Sequence, residues 1–206
     1  MLDRYILESS RSVQQRLAQS LLNLGIKPDQ VTWAGFAIGM LVLPLLATQH
    51  YAWALVVILL NRLLDGLDGT LARLTQPSDR GGFLDIVLDF LFYSAVPLGF
   101  ALAHPEQNAL AAAVLIYAFV GTGCSFLAFA VIAAKRGLQS TAYPNKSFYY
   151  LGGLTEASET IAVFVAMCVW PQWFVGLAYA YAALCLLSTA LRIHAGWATF
   201  ASGEKA

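Results

Sequence analysis

The chain has 206 residues, 59% of them hydrophobic and only 12% charged, and its formal net charge is zero. A soluble domain carries about 25% charged residues, so an ordinary water-soluble fold is excluded. Without a basic, aromatic-interleaved patch, no nucleic-acid partner is expected either. Apolar stretches of about twenty residues recur, the length a helix needs to cross a bilayer, so the expected fold is an all-α integral membrane bundle.

The first segment, Leu2 to Leu24, has helical periodicity. Leu2, Ile6, Val13, Leu17, Leu21 and Leu24 share one face, while Arg4, Glu8, Arg11 and Gln15 lie elsewhere. A helix divided in this way lies in the membrane interface. Its charges, and the lack of an apolar core before a small-residue cleavage site, do not fit a cleaved signal. Gly25 ends this helix, and Pro28 with Asp29 starts the next. Residues 1–26 are therefore read as an interfacial amphipathic helix and residues 27–206 as one transmembrane domain.

Six spans follow: about 29–48, 53–74, 82–103, 109–134, 147–170 and 173–199. Arg4, Arg11, Arg16 and Lys27 precede the first. Arg73 and Arg80 lie between spans two and three; Lys135, Arg136 and Lys146 lie between four and five; Arg192 and Lys205 lie at or beyond the end of span six. The opposite connections contain no Lys or Arg, so both termini are expected in the cytoplasm. Cys124, Cys168 and Cys185 all sit in apolar runs without CxxC spacing and read as small core residues rather than a disulfide or zinc set. His50, His104 and His194 share no metal-like spacing.

The chemistry is concentrated between Leu63 and Asp89. Asp65 and Asp68, three apart, project from one helical face; Asp85 and Asp89, four apart, do the same on the next helix. A short turn is expected to fold these helices back as an antiparallel pair, bringing four carboxylates together near the cytoplasmic boundary. Such a crowd must take up protons or bind cations. Hard divalent ions suit it, Mg²⁺ or Mn²⁺, and two ions bridged by carboxylates would clamp a phosphate in transit. Gly66, Gly69, Gly81, Gly82 and Ala72 keep room for a bulky ligand, and Arg73 is suited to a phosphate. Structural salt bridges from Arg62, Arg73 and Arg80 are the plain alternative; Arg62 precedes Asp65 by three residues. Such bridges do not account for four acids on adjacent helices with glycines between them.

The segment resembles the signature of the CDP-alcohol phosphotransferase family: D-x-x-D-G-x-x-A-R, a short spacer, then G-x-x-x-D-x-x-x-D. Asp65, Asp68, Gly69, Ala72, Arg73, Gly81, Asp85 and Asp89 fill every place, with seven residues between Arg73 and Gly81. Pro28 to Thr32 resembles the family's P-N-x-x-T opening, with Asp29 where Asn is usual. The resemblance implies metal binding by Asp65, Asp68 and Asp85, with Asp89 as general base and also near the metal. It implies that Asp68, Gly69, Arg73 and Gly81 hold the cytidine diphosphate, with Thr32 lining that pocket. It further implies a CDP-linked lipid donor such as CDP-diacylglycerol, an alcohol acceptor, CMP release in phospholipid biosynthesis, and a homodimer in the lipid bilayer.

Acceptor choice has two readings. Lys135, Arg136, Lys146 and Arg192 suit an anionic acceptor, or are ordinary cytoplasmic flanking charges. Glu156 and Glu159, expected two to three turns inside span five, suit a cationic head or pair with Lys146 or Arg192. Gly152-Gly153 would make room beside them, and Phe148-Tyr149-Tyr150 is expected as an interfacial anchor. A membrane prenyltransferase acting on a pyrophosphate donor and a cation transporter using intramembrane acids are the competing functions. The first is expected to hold its aspartate motifs on distant helices, and the second has no use for the A-R and glycine spacing.

Overall fold

The structure, a computed structural model, describes residues 3–138 and 155–201, with side chains from Val13 onward. These residues are almost entirely helical: α1 (Asp3–Asn23), α2 (Pro28–Gly39), α3 (Val42–Ala47), α4 (Tyr51–Leu74), α5 (Asp79–Ala103), α6 (Pro105–Lys135), α7 (Ala157–Val169) and α8 (Phe174–Ala201), with one 3₁₀ turn at Pro171–Trp173. Gly25 ends α1 as expected. Its φ of +74° is the left-handed conformation of a helix stop. The Gly25 amide donates to the Leu22 carbonyl at 2.9 Å and the Ile26 amide to Leu21 at 3.1 Å, closing the helix end.

α1 packs on α4 through Ala18, Leu21 and Leu22, which join Val31, Leu67 and Leu71 in a small apolar cluster. Val13, Leu17 and Leu24 are exposed. The apolar surface of α1 is thus shared between a packed side and an outward side, rather than forming one stripe.

Among the described residues, four helical stretches are long and apolar enough to cross a membrane: Pro28–Ala47, Asp79–Ala103, Pro105–Lys135 and Pro171–Ala201. The first is α2 and α3 in series, interrupted at Met40–Leu41. α4 has the length, but it carries Arg62, Asp65, Asp68 and Arg73. The fifth expected span differs most. Thr155 and Glu156 are not helical, and α7 begins at Ala157. A helix continuous from 147 to 170 is therefore corrected. Glu156 has extended backbone, and its amide donates to Glu159 Oε2 at 3.2 Å, so the two acids sit at the first turn of α7 rather than turns within it.

The main core joins α3, α4, α5, α6, α7 and α8. Phe100 stacks on Phe174 with centroids 4.5 Å apart and on Tyr51 at 5.6 Å. Without a strong hydrophobic drive in lipid, such close packing is what joins membrane helices. α3 meets α5 at Gly99, where an added Cβ would lie 2.7 Å from Leu46 Cβ. Gly99→Ala is therefore expected to cost about 1–3 kcal/mol, read as a lower thermal midpoint in detergent. An unchanged midpoint would contradict this packing.

Cys168 and Cys185 are buried in the core as expected, but Cys124 is exposed on α6. Helical rotation places it outward, and an apolar run in a span does not distinguish core from lipid-facing positions.

Candidate functional site

Three of the four acids expected to converge, Asp65 and Asp68 on α4 and Asp85 on α5, form a cluster; Asp89 lines the same cavity and pairs with Arg62. One carboxylate oxygen from each of the three lies within 4.8 Å of the others. Oxygens bound to one octahedral divalent ion at about 2.1 Å lie about 3–4 Å apart, so a small side-chain adjustment accommodates the ion. The donor set is all carboxylate, which suits Mg²⁺ or Mn²⁺.

The two helices run back past each other, but they do not pack directly together. α2 packs on both α4 and α5, and α3 does likewise, while α4 and α5 approach each other little. The gap between them is the site. Mutual repulsion among the acids opposes closing it, and α2 supplies its third wall. A cavity of about 20 Å³ is lined there by Thr32, Gly35, Phe36, Asn61, Asp65, Asp68, Asp85, Leu88 and Asp89. Its volume suits an ion or a water rather than a nucleotide. Thr32 is in this lining; its hydroxyl donates to the Pro28 carbonyl at 3.2 Å.

A larger cavity of about 260 Å³ adjoins the first. Asp85 and Asp89 border both. Phe90, Tyr93, Phe119 and Phe126 supply apolar walls, and Thr122, Thr155, Thr160, Glu156 and Arg192 supply polar groups. Of the expected acceptor residues, Glu156 and Arg192 reach this cavity. Glu159 caps α7 and is not in its lining, and Lys146 lies outside the described residues, as do Gly152-Gly153 and Phe148-Tyr149-Tyr150. The Arg192 guanidinium donates to the Thr122 carbonyl at 2.9 Å and to Ser125 Oγ at 3.2 Å. Arg136 is held elsewhere, donating to the Phe200 carbonyl at 2.8 Å.

Asp89 is placed by a residue that the sequence suggested only as a structural partner. Arg62 Nη2 lies 2.6 Å from Asp89 Oδ1 and 3.3 Å from Asp65 Oδ1. The salt-bridge alternative is thus realised for Asp65, and Asp89 joins the same pair. Arg80 pairs with Asp29, across the starts of α5 and α2. Arg73 Nη2 donates to Thr70 Oγ1 at 2.9 Å, and its Nη1 lies 3.5 Å from where a Cβ on Gly69 would stand. The Gly81 amide donates to Ser78 Oγ at 3.1 Å, at the N-cap of α5. Gly69, Arg73 and Gly81 therefore lie at the facing ends of α4 and α5. Asn61 and Tyr93 escaped the sequence reading. A buried amide four residues before Asp65 on the same stripe was the available signal for Asn61. His50 and His104 lie at the opposite ends of these helices, just before α4 and just after α5.

The chain is similar to known proteins along its full length. It is 55% identical over 205 residues to the inner membrane protein YnjF of Escherichia coli K12, covering 100% of both chains. It is 28% identical over 201 residues to the phosphatidylinositol phosphate synthase of Mycobacteroides abscessus, covering 91% of this chain and 85% of that one. Two crystal structures of the Mycobacterium tuberculosis phosphatidylinositol phosphate synthase share its fold. The one with CDP-DAG bound has a TM-score of 0.74 at 20% identity, covering 90% of this chain and 94% of that one. The one in complex with manganese and citrate has a TM-score of 0.72 at 22% identity, covering 89% and 88%. The CDP-alcohol phosphatidyltransferase family matches residues 26–191. With four apolar helical stretches of spanning length among the described residues and acids from two helices converging where the signature puts them, this chain is an integral membrane protein of the CDP-alcohol phosphatidyltransferase family.

Proposed function

We propose that the chain transfers a substituted phosphate from CDP-diacylglycerol to a small alcohol, releasing CMP and forming a phospholipid headgroup. The observation that carries this reading is that Asp85 and Asp89 border both cavities, so that donor phosphate and acceptor hydroxyl meet across two carboxylates. Asp65, Asp68 and Asp85 would hold the divalent metal, two ions when the site is fully loaded, with Asp89 at the edge of the same cluster. A metal bound there would supply charge neutralisation for the pyrophosphate and the departing CMP. Gly69 and Gly81 let the cytidine diphosphate lie against the helix ends, and Arg73 contacts its phosphates. Thr32, in the wall of the small cavity, borders this nucleotide site. The acceptor occupies the larger cavity, between Glu156 and Arg192, with Lys146 and Glu159 as neighbouring candidates. Asp89 takes the hydroxyl proton as the acceptor oxygen bonds to phosphorus and the bond from phosphorus to CMP oxygen breaks.

In this reading α4 and α7 complete a six-span domain of residues 27–206. α1 lies in the interface with Val13, Leu17 and Leu24 toward lipid. The basic residues flanking alternate connections support a cytoplasmic position for both termini and the site.

The test is CMP release from CDP-diacylglycerol in liposomes with Mn²⁺ or Mg²⁺, across a panel of neutral, anionic and cationic alcohols. Release with at least one acceptor is expected. Turnover of an isoprenyl pyrophosphate, or cation flux with no CMP formed under any condition, would replace this function with one of its competitors.

A further inference from the structure

We infer that Arg62 is a positioning residue for the transfer: its guanidinium, locked between α4 and α5, holds Asp89 at the wall between the two cavities. The inference rests on the reading of Asp89 as the base. Arg62 lies within α4, its side chain 15% exposed. Burying a guanidinium in a spanning helix is costly and persists only where charge and donors are matched. Here all three nitrogens are engaged. Nη2 reaches Asp89 Oδ1 at 2.6 Å and Asp65 Oδ1 at 3.3 Å, Nη1 donates to the Tyr93 hydroxyl at 3.0 Å, and Nε donates to Asn61 Oδ1 at 3.3 Å. Asn61 is itself fixed, its amide donating to the Gly35 carbonyl on α2 at 3.1 Å. The group also lies 5.4 Å from the Tyr93 ring centroid.

A counter-ion for one buried acid would need a single contact. This arrangement fixes the guanidinium in orientation as well as place, through partners on α4 and α5 and a brace to α2. The grip on Asp89 is the shorter one. Asp65 is left the looser contact, compatible with its place in the three-acid cluster. Arg62 engages Oδ1 of Asp89, which leaves Oδ2 for the acceptor proton. A lysine ammonium supplies the charge without the planar fork, so the substitution separates orientation from neutralisation.

Arg62→Lys is expected to fold, with the half-saturating Mn²⁺ concentration and the KM for CDP-diacylglycerol within about twofold of the native protein. Its kcat is expected to fall roughly 10–100-fold, as misplacing a reacting group by about 1 Å does. Tyr93→Phe, which removes one brace, is expected to lower kcat by a smaller factor in the same pattern. In an Asp89→Asn background, Arg62→Lys is expected to cause no further loss, because the two act as a unit. Native kcat in Arg62→Lys would overturn the inference. So would parallel weakening of metal and donor binding with kcat, the signature of a purely structural role. Asp89→Asn with full turnover would instead remove the base itself, and the single variant reads that separately.

Discussion

Asp89→Asn is expected to lower CMP release by about 10²–10⁴-fold, the usual contribution of a positioned general base. Asparagine has nearly the same volume, and its amide oxygen still accepts from Arg62 at the position Oδ1 holds now. The substitution thus keeps the wall between the cavities and removes the proton acceptor. CDP-diacylglycerol and Mn²⁺ binding are expected to persist, since Asp65, Asp68 and Asp85 supply the converging oxygens without it. Radiolabelled CMP release and a detergent thermal midpoint measure the two properties side by side. Turnover near native in a folded variant would assign the proton to another group.

Asp85→Asn is expected to remove both metal binding and turnover. Asp85 is the one residue of α5 among the three converging carboxylates, and it also borders the larger cavity. Losing its charge leaves both remaining acids on α4, so the ion no longer ties the two helices together. Titration with Mn²⁺, followed by the paramagnetic signal of the free ion, is expected to show lost or much weaker binding. CMP release is expected to match that of native protein treated with a chelator. Binding of Mn²⁺ at native affinity would show that Asp85 is not needed to hold the ion and would return the site to a structural explanation.

The acids were legible because helical geometry is local. Spacings of three and four place Asp65 with Asp68, and Asp85 with Asp89, whatever the rest of the chain does. The lengths of α4, α5, α6 and α8 followed from apolar runs, and Gly25 marked the end of α1 through its own backbone preference. What spacing does not carry is which helix stands next to which. The insertion of α2 between α4 and α5 depends on contacts far apart in sequence, such as Asn61 with Gly35, 26 residues away. Arg62 illustrates the same limit: its bond to Asp65 lies within one helix and was anticipated, whereas its shorter bond to Asp89 crosses to α5. The start of α7 was misplaced because hydropathy carries no mark of the non-helical Thr155 and Glu156 that precede it. Cys124 was misplaced because lipid-facing and core positions share one composition in a bilayer.

The two adjoining cavities also limit what the protein can measure about a greasy substrate. The larger, at about 260 Å³, falls below the range of about 300–1,000 Å³ usual for a drug-sized ligand. Two fatty tails fit in neither. A diacyl donor would dip only its headgroup between the helices while its chains stay dissolved among neighbouring lipids. Tail length and unsaturation would then be judged chiefly by the surrounding membrane, through its thickness and fluidity.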